Sequence, residues 1–87
     1  MIHVRGHTDS DPVKKPATRA LFPHGNLQLS VERAVSVGAV LLENSSIGGQ
    51  DVVIMGFGSW KPIRPNDSLD AKRMNRRVEI FVSDADA

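Results

Sequence analysis

Residues 26–42 constrain this chain more than any other stretch, because apolar or small residues fall there at Val31, Ala34, Val35, Gly38, Leu41 and Leu42. That i, i+3, i+4, i+7 spacing draws one stripe along a helix, and the stripe requires a surface to pack against. Ser30 and Glu32 suggest where the helix starts. A serine hydroxyl can accept from the free amides of a first turn, and a carboxylate is favoured near the positive end of the helix dipole. The pattern therefore predicts Ser30 as the N-cap. On that reading Arg33 is a cation in the first turn, where the dipole disfavours it by about 0.3–1 kcal/mol. Two explanations stand at this point: a surface ion pair with Glu32 or another carboxylate, or an anion site in which the guanidinium and the helix-start amides hold a carboxylate or phosphate together.

The 87 residues allow one domain with a small core. A hydrophobic content of 40% and a charged content of 24% are ordinary for a globular domain, and a net charge of +1 gives no general attraction to nucleic acid or to a membrane surface. With no cysteine, the chain has neither a disulfide framework nor a thiolate for metal binding or nucleophilic attack. No apolar run approaches the roughly 20 residues of a membrane span, so any membrane attachment is expected to come from a parent protein.

In chain order, residues 2–7 alternate, with Ile2, Val4 and Gly6 on one face and His3, Arg5 and His7 on the other, which predicts a half-buried strand. A strand at the very start suggests a segment of a longer protein with an upstream element missing. Residues 8–25 read as a long loop carrying Pro12, Pro16, Pro23, Lys14, Lys15 and Arg19; its basic residues are expected to form a solvated surface. After the helix, Asn44 to Gly49 supplies a stop, and Val52-Val53-Ile54-Met55 predicts a buried strand. Strand, crossover helix and strand in this order imply a βαβ unit with parallel strands. A second loop follows, in which Trp60 is expected to be a partly buried anchor. Ser68 or Asp67 is placed to cap a short helix over residues 69–74, and Arg77–Val82 alternates as a last strand. Residues 83–87 read as a frayed tail. The predicted fold is thus α/β: a βαβ unit with one main helix on one face, a short second helix and a final strand.

Three polar groups occupy comparable places: Asp9 beyond the first strand, Arg33 on the helix, and Arg73, Arg76 and Arg77 before the last strand. Ligands of α/β sheets gather at the carboxyl ends of parallel strands. A carboxylate and a guanidinium there suit a zwitterion, with Asp9 receiving an ammonium and Arg33 a carboxylate, or else they pair with each other. His7 and Asp9 fall short of the three protein ligands of a catalytic zinc site. Ser30 and His7 lack a nucleophile elbow or oxyanion motif. No catalytic residue, metal or cofactor is therefore assigned. Phosphate contacts by the arginines, with stacking on Trp60 or Phe57, would fit single-stranded nucleic acid, but the near-neutral charge argues against it; Arg77 is instead expected to pair with Glu79.

The order of four segments adds a resemblance. Gly6-His7-Thr8-Asp9, then Asn26-x-x-Leu29-Ser30-x-x-Arg33-Ala34, then Gly56-x-Gly58-x-x-x-Pro62 with Asn66, then Arg73-x-Asn75-Arg76-Arg77-Val78-Glu79-Ile80 together resemble the OmpA-like (OmpA/MotB) peptidoglycan-binding domain over residues 2–82. The resemblance implies that the fold is an α+β sandwich with a mixed sheet, and that the chain is a noncatalytic periplasmic module that anchors a larger envelope protein to the cell wall by holding the diaminopimelate of the peptidoglycan stem peptide. It implies that Asp9 and Arg33 hold the two ends of that residue, that Asn26 shapes the pocket, that Arg76 adds a contact to a ligand carboxylate, and that Thr8 and Leu29 line it. Two departures stand out. Asp11-Pro12 opens a longer insertion, as in MotB-like members, and the strand and helix that normally precede the GHTD strand are absent, so that the chain is expected either to be less stable or to cover its exposed face by pairing with another copy in a homodimer. Within the family, the alternative role is a flagellar or other ion-driven stator domain with regulated wall binding; outside it, an envelope hydrolase using His7 and Asp9.

Overall fold

The computed structural model describes residues 1–83. Strand β1 (Ile2–His7) leads through a short helix α1 (Pro16–Leu21) to the long helix α2 (Gly25–Leu42). A 3-10 turn (Gly49–Asp51) then enters β2 (Val52–Gly56), and α3 (Leu69–Asn75) precedes β3 (Arg77–Val82). The sheet order is β2-β1-β3, with β1 parallel to β2 and antiparallel to β3. The parallel pair with its helical crossover is the one that the alternation and the helix stripe predict, and the antiparallel β3 makes the sheet mixed, as the resemblance implies.

The registers set Val4 opposite both Ile54 and Ile80, so that Ile2, Val4 and Gly6 share the face that α2 covers. Val4 and Ala34 are fully buried at this contact. Gly6 is the point of closest approach: a Cβ there would lie 1.9 Å from the Ser30 carbonyl oxygen, so the helix backbone rests directly on the strand. Few large side chains separate the two layers. Burial of polar groups with their hydrogen bonds met supplies much of the interior instead, through Thr8, Ser30 and Asn75.

Several expectations are corrected here. Helix α2 begins at Gly25, with φ +66°, rather than after Ser30. His24 occupies the cap position, and its amide donates to Gln28 Oε1 at 3.2 Å. Ser30 is a buried interior residue. Its hydroxyl donates to the Leu27 carbonyl at 2.7 Å and accepts from the Gly58 amide at 2.9 Å, pinning the loop after β2 onto the helix. A serine is a frequent cap because its oxygen reaches local backbone groups, and here that capacity is used within the helix and across to a loop. Arg33 consequently lies more than two turns inside α2, beyond the reach of first-turn amides and of the dipole argument. The long loop is interrupted by α1, which starts with Pro16 in the first turn, where its missing N–H costs nothing. Strand β2 is only half-buried, with Ile54 36% exposed, because it forms one edge of the sheet. Trp60 is 70% exposed rather than a buried anchor.

Other expectations agree with the structure. Ser68 caps α3 by accepting from the Ala71 amide at 3.1 Å. Ser83, by contrast, does not fray as expected: it pairs with Met1 through its amide and its carbonyl; the rest of the expected tail, residues 84–87, lies outside the described residues. Ile80 and Val82 on β3 are 49% and 75% exposed, leaving part of the sheet's helix-side face without cover. No helix among the described residues is long and apolar enough to cross a membrane.

Candidate functional site

Beyond β1 the chain turns at Thr8 and Asp9, both buried. The Thr8 amide donates to the Gly58 carbonyl at 2.8 Å and its hydroxyl donates to the Asp9 carbonyl at 2.9 Å, so backbone and side chain both fix the turn. Asp9 Oδ1 accepts from the Asp11 amide at 2.9 Å, and Oδ2 accepts from Arg76 Nη1 at 2.5 Å. Asn26, in the first turn of α2, donates to the carbonyls of Asp9 and Asp11 at 3.3 and 2.9 Å. Lys72 of α3 reaches Asp11 at 3.0 Å. The insertion is thereby tied to both helices where it leaves the strand.

These residues enclose an open cavity of about 550 Å³. All six sequence-predicted site residues line it: Thr8 and Asp9 from the end of β1, Asn26, Leu29 and Arg33 from successive turns of α2, and Arg76 from the end of α3. The topology explains the convergence. β1 and α2 pack in direct contact, and β3 runs antiparallel beside β1, so the α3–β3 junction arrives at the end of β1.

Arg33 and Asp9 are not partners. Asp9 is taken by Arg76, whereas Arg33 Nη1 donates to the His7 carbonyl at 3.3 Å and has no carboxylate within ion-pair distance among the described residues. Burial lowers the Arg33 pKa, the positive charge of Arg76 lowers it further, and Asp9 opposes both. Because a guanidinium stays protonated in proteins, the lowered value describes a cation that would be stabilised by an added anion.

The arginine cluster of the sequence divides. Arg76 enters the cavity, Arg73 stays exposed near Asp70 at 3.8 Å, and Arg77 turns to Glu79, with Nε 3.3 Å from Oε2. His7 also belongs to this last group. Its Nε2 lies 2.7 Å from Glu79 Oε1 and its ring stacks on Phe57 at 5.1 Å. The pairing of His7 with Asp9 that a metal or acid–base role needs is replaced by a pairing with Glu79. Asp11, Lys14, Lys15 and Lys72 also line the cavity and were not singled out from the sequence as site residues. For Asp11, Lys14 and Lys15 the only signal is the charged insertion itself, which is indistinguishable in composition from a solvated loop, and Lys72 is one of two adjacent cations on α3.

Comparison with known proteins agrees with this architecture. The OmpA family matches residues 1–76, and the chain belongs to that family. It is 33% identical to motility protein B of Bacillus subtilis over 81 residues, 93% of this chain but 29% of that protein. It is 36% identical over 58 residues to the peptidoglycan-binding protein ArfA of Mycobacterium bovis, covering 67% of this chain and 18% of that protein. The crystal structure of the C-terminal domain of Helicobacter pylori MotB superimposes with a TM-score of 0.80 at 36% identity, over 98% of this chain and 61% of that one. The chain thus spans about three tenths of the motility protein it matches.

Proposed function

We propose that this chain is a noncatalytic peptidoglycan-binding module of the periplasm, which anchors a larger envelope protein to the cell wall by holding the diaminopimelate of the stem peptide. The observation that carries the proposal is Arg33: a partly buried guanidinium lining a cavity, with one long hydrogen bond to a carbonyl and no carboxylate partner among the described residues. A ligand carboxylate fits that vacancy through charge-assisted hydrogen bonds. Arg76 stands close enough to Arg33 to lower its pKa and adds a second cation to the same region. Asp9 retains lone pairs beyond those used by Arg76 and the Asp11 amide, and receives the ammonium of the same residue. Asn26 holds the backbone of the turn, and Thr8 and Leu29 form part of the wall. The similarity to a peptidoglycan-binding protein supports the same substrate class.

A second reading at the level of the parent protein is a stator domain whose wall binding is regulated, supported by similarity to motility protein B across 93% of the chain. Both readings use the same pocket. Calorimetric titration with a stem peptide containing meso-diaminopimelate, beside the same peptide with lysine at that position, tests it. Saturable binding that needs the extra carboxylate is expected; equal binding of the two peptides would remove the diaminopimelate assignment.

A further inference from the structure

The cavity carries more positive charge than a zwitterionic side chain can satisfy. Its lining includes two carboxylates, Asp9 and Asp11, and five cations, Arg33, Arg76, Lys72, Lys14 and Lys15. Asp9 is neutralised by Arg76 and Asp11 by Lys72. Arg33, Lys14 and Lys15 remain, and none of the three has a carboxylate within ion-pair distance among the described residues. The end of a diaminopimelate residue brings one ammonium and one carboxylate, so it can satisfy Arg33 yet leaves the excess unchanged.

The two lysines are exposed at the rim, on a backbone segment anchored at both ends. The segment that bears them is tied at one end through Asp11, which contacts Asp9, Asn26 and Lys72. At the other end Lys15 is the residue from which α1 springs, and its carbonyl accepts from the Arg19 amide at 2.9 Å. Two adjacent cations without a carboxylate partner among the described residues, on an anchored segment lining the cavity, are suited to an anion brought by a ligand.

From this we infer that Lys14 and Lys15 form a second carboxylate subsite, which reads a further free carboxylate of the same stem peptide next to the diamino acid. The inference rests on the peptidoglycan reading and goes beyond it by making the module sensitive to amidation of the wall peptide. A neutral carboxamide offers no charge to the lysines, so wall whose glutamate carboxylate is amidated is held less tightly than wall in which it is free. The volume of about 550 Å³ leaves room for more than one amino-acid side chain.

The test is calorimetric titration of the whole chain with the tripeptide L-alanyl-γ-D-glutamyl-meso-diaminopimelate and with its counterpart in which only the glutamate α-carboxylate is amidated. Each is measured against the natural sequence and the Lys14→Gln/Lys15→Gln double variant, with circular dichroism to confirm folding. The natural chain is expected to bind the acid peptide about five- to tenfold more tightly than the amide, a preference that shrinks with added salt. The double variant should lose the preference while keeping its affinity for the amidated peptide. Equal binding of both peptides by the natural chain would overturn the subsite and leave the diaminopimelate pocket standing, as would a double variant weakened equally towards both. Binding of neither peptide would overturn the peptidoglycan reading and the subsite with it.

Discussion

Asp9 and Glu79 are both carboxylates held by arginines near the end of β1, but their surroundings resolve differently. Around Glu79 the carboxylate is shared: His7 and Arg77 both reach it, and Arg77 also donates to the carbonyls of Asn75 and Lys61. Around Asp9 one arginine is matched and a second, Arg33, is left with a carbonyl. The single residue His7 joins the two clusters, its side chain serving one and its carbonyl the other. The difference separates a carboxylate that draws two side chains to itself from an arginine that has no carboxylate partner among the described residues, and composition alone would not distinguish them.

Substitution on the Asp9 side should produce the largest effect. Arg33→Ala is expected to weaken stem-peptide binding by about 2–5 kcal/mol, the usual cost of removing one partner of a buried charge-assisted pair, with little change in thermal midpoint. Asp9→Ala should weaken binding and also lower stability, because Arg76 and the Asp11 amide lose their acceptor. Calorimetry paired with thermal unfolding reads both quantities. Unfolding of Arg33→Ala would break the comparison, since Arg33 would then be a structural residue like Arg77.

Glu79→Ala probes the other cluster and should give the opposite pattern. Loss of the acceptor for His7 and Arg77 is expected to lower stability by about 1–2 kcal/mol in urea unfolding, while peptide affinity stays unchanged. A large loss of affinity would show that the two clusters are coupled through His7.

The smallest expected effect is a dependence of stability on pH. The carboxylate of Glu79 can only accept, so His7 Nε2 carries the proton and the buried Nδ1 is bare and without a hydrogen-bond partner. Burial is the main cause that lowers the His7 pKa, and Arg77 and then Arg5 also lower it, against the opposing pull of Glu79. As pH falls through about 6.5 the unfolded chain takes up this proton first, so the contribution of His7 is complete above that value and is lost as pH falls through the folded pKa. For Glu79, burial alone would raise the pKa, but the hydrogen bonds from His7 and Arg77 outweigh it and hold the value low. Its contribution is present above the ordinary carboxylate range and is lost on further acidification. Urea midpoints measured from pH 7 downwards should therefore fall throughout; a flat profile above pH 5 in the natural chain would remove His7 from this account.

The alternation of Ile2 to His7, the stripe of α2 and the motif order carried the sheet, the main helix and the family. These signals are local, or lie in the order of segments, and a single sequence exposes both. The start of α2 is not legible in the sequence because Ser30 has the chemistry of a cap, and only the approach of the Gly58 amide shows that its oxygen is needed elsewhere. Similarly, Arg73, Arg76 and Arg77 look alike in sequence, but their directions at the α3–β3 junction send them to solvent, cavity and Glu79 respectively.

By itself the sequence determined which residues can hold charge and which faces must be covered, because periodicity and side-chain chemistry are properties of neighbouring residues. Pairing of those charges was decided by the tertiary structure alone. Asp9 meets Arg76 across 67 positions of chain and Glu79 meets His7 across 72; contacts between residues so distant in sequence arise only when the sheet register and the packing of α2 on β1 bring their carriers together.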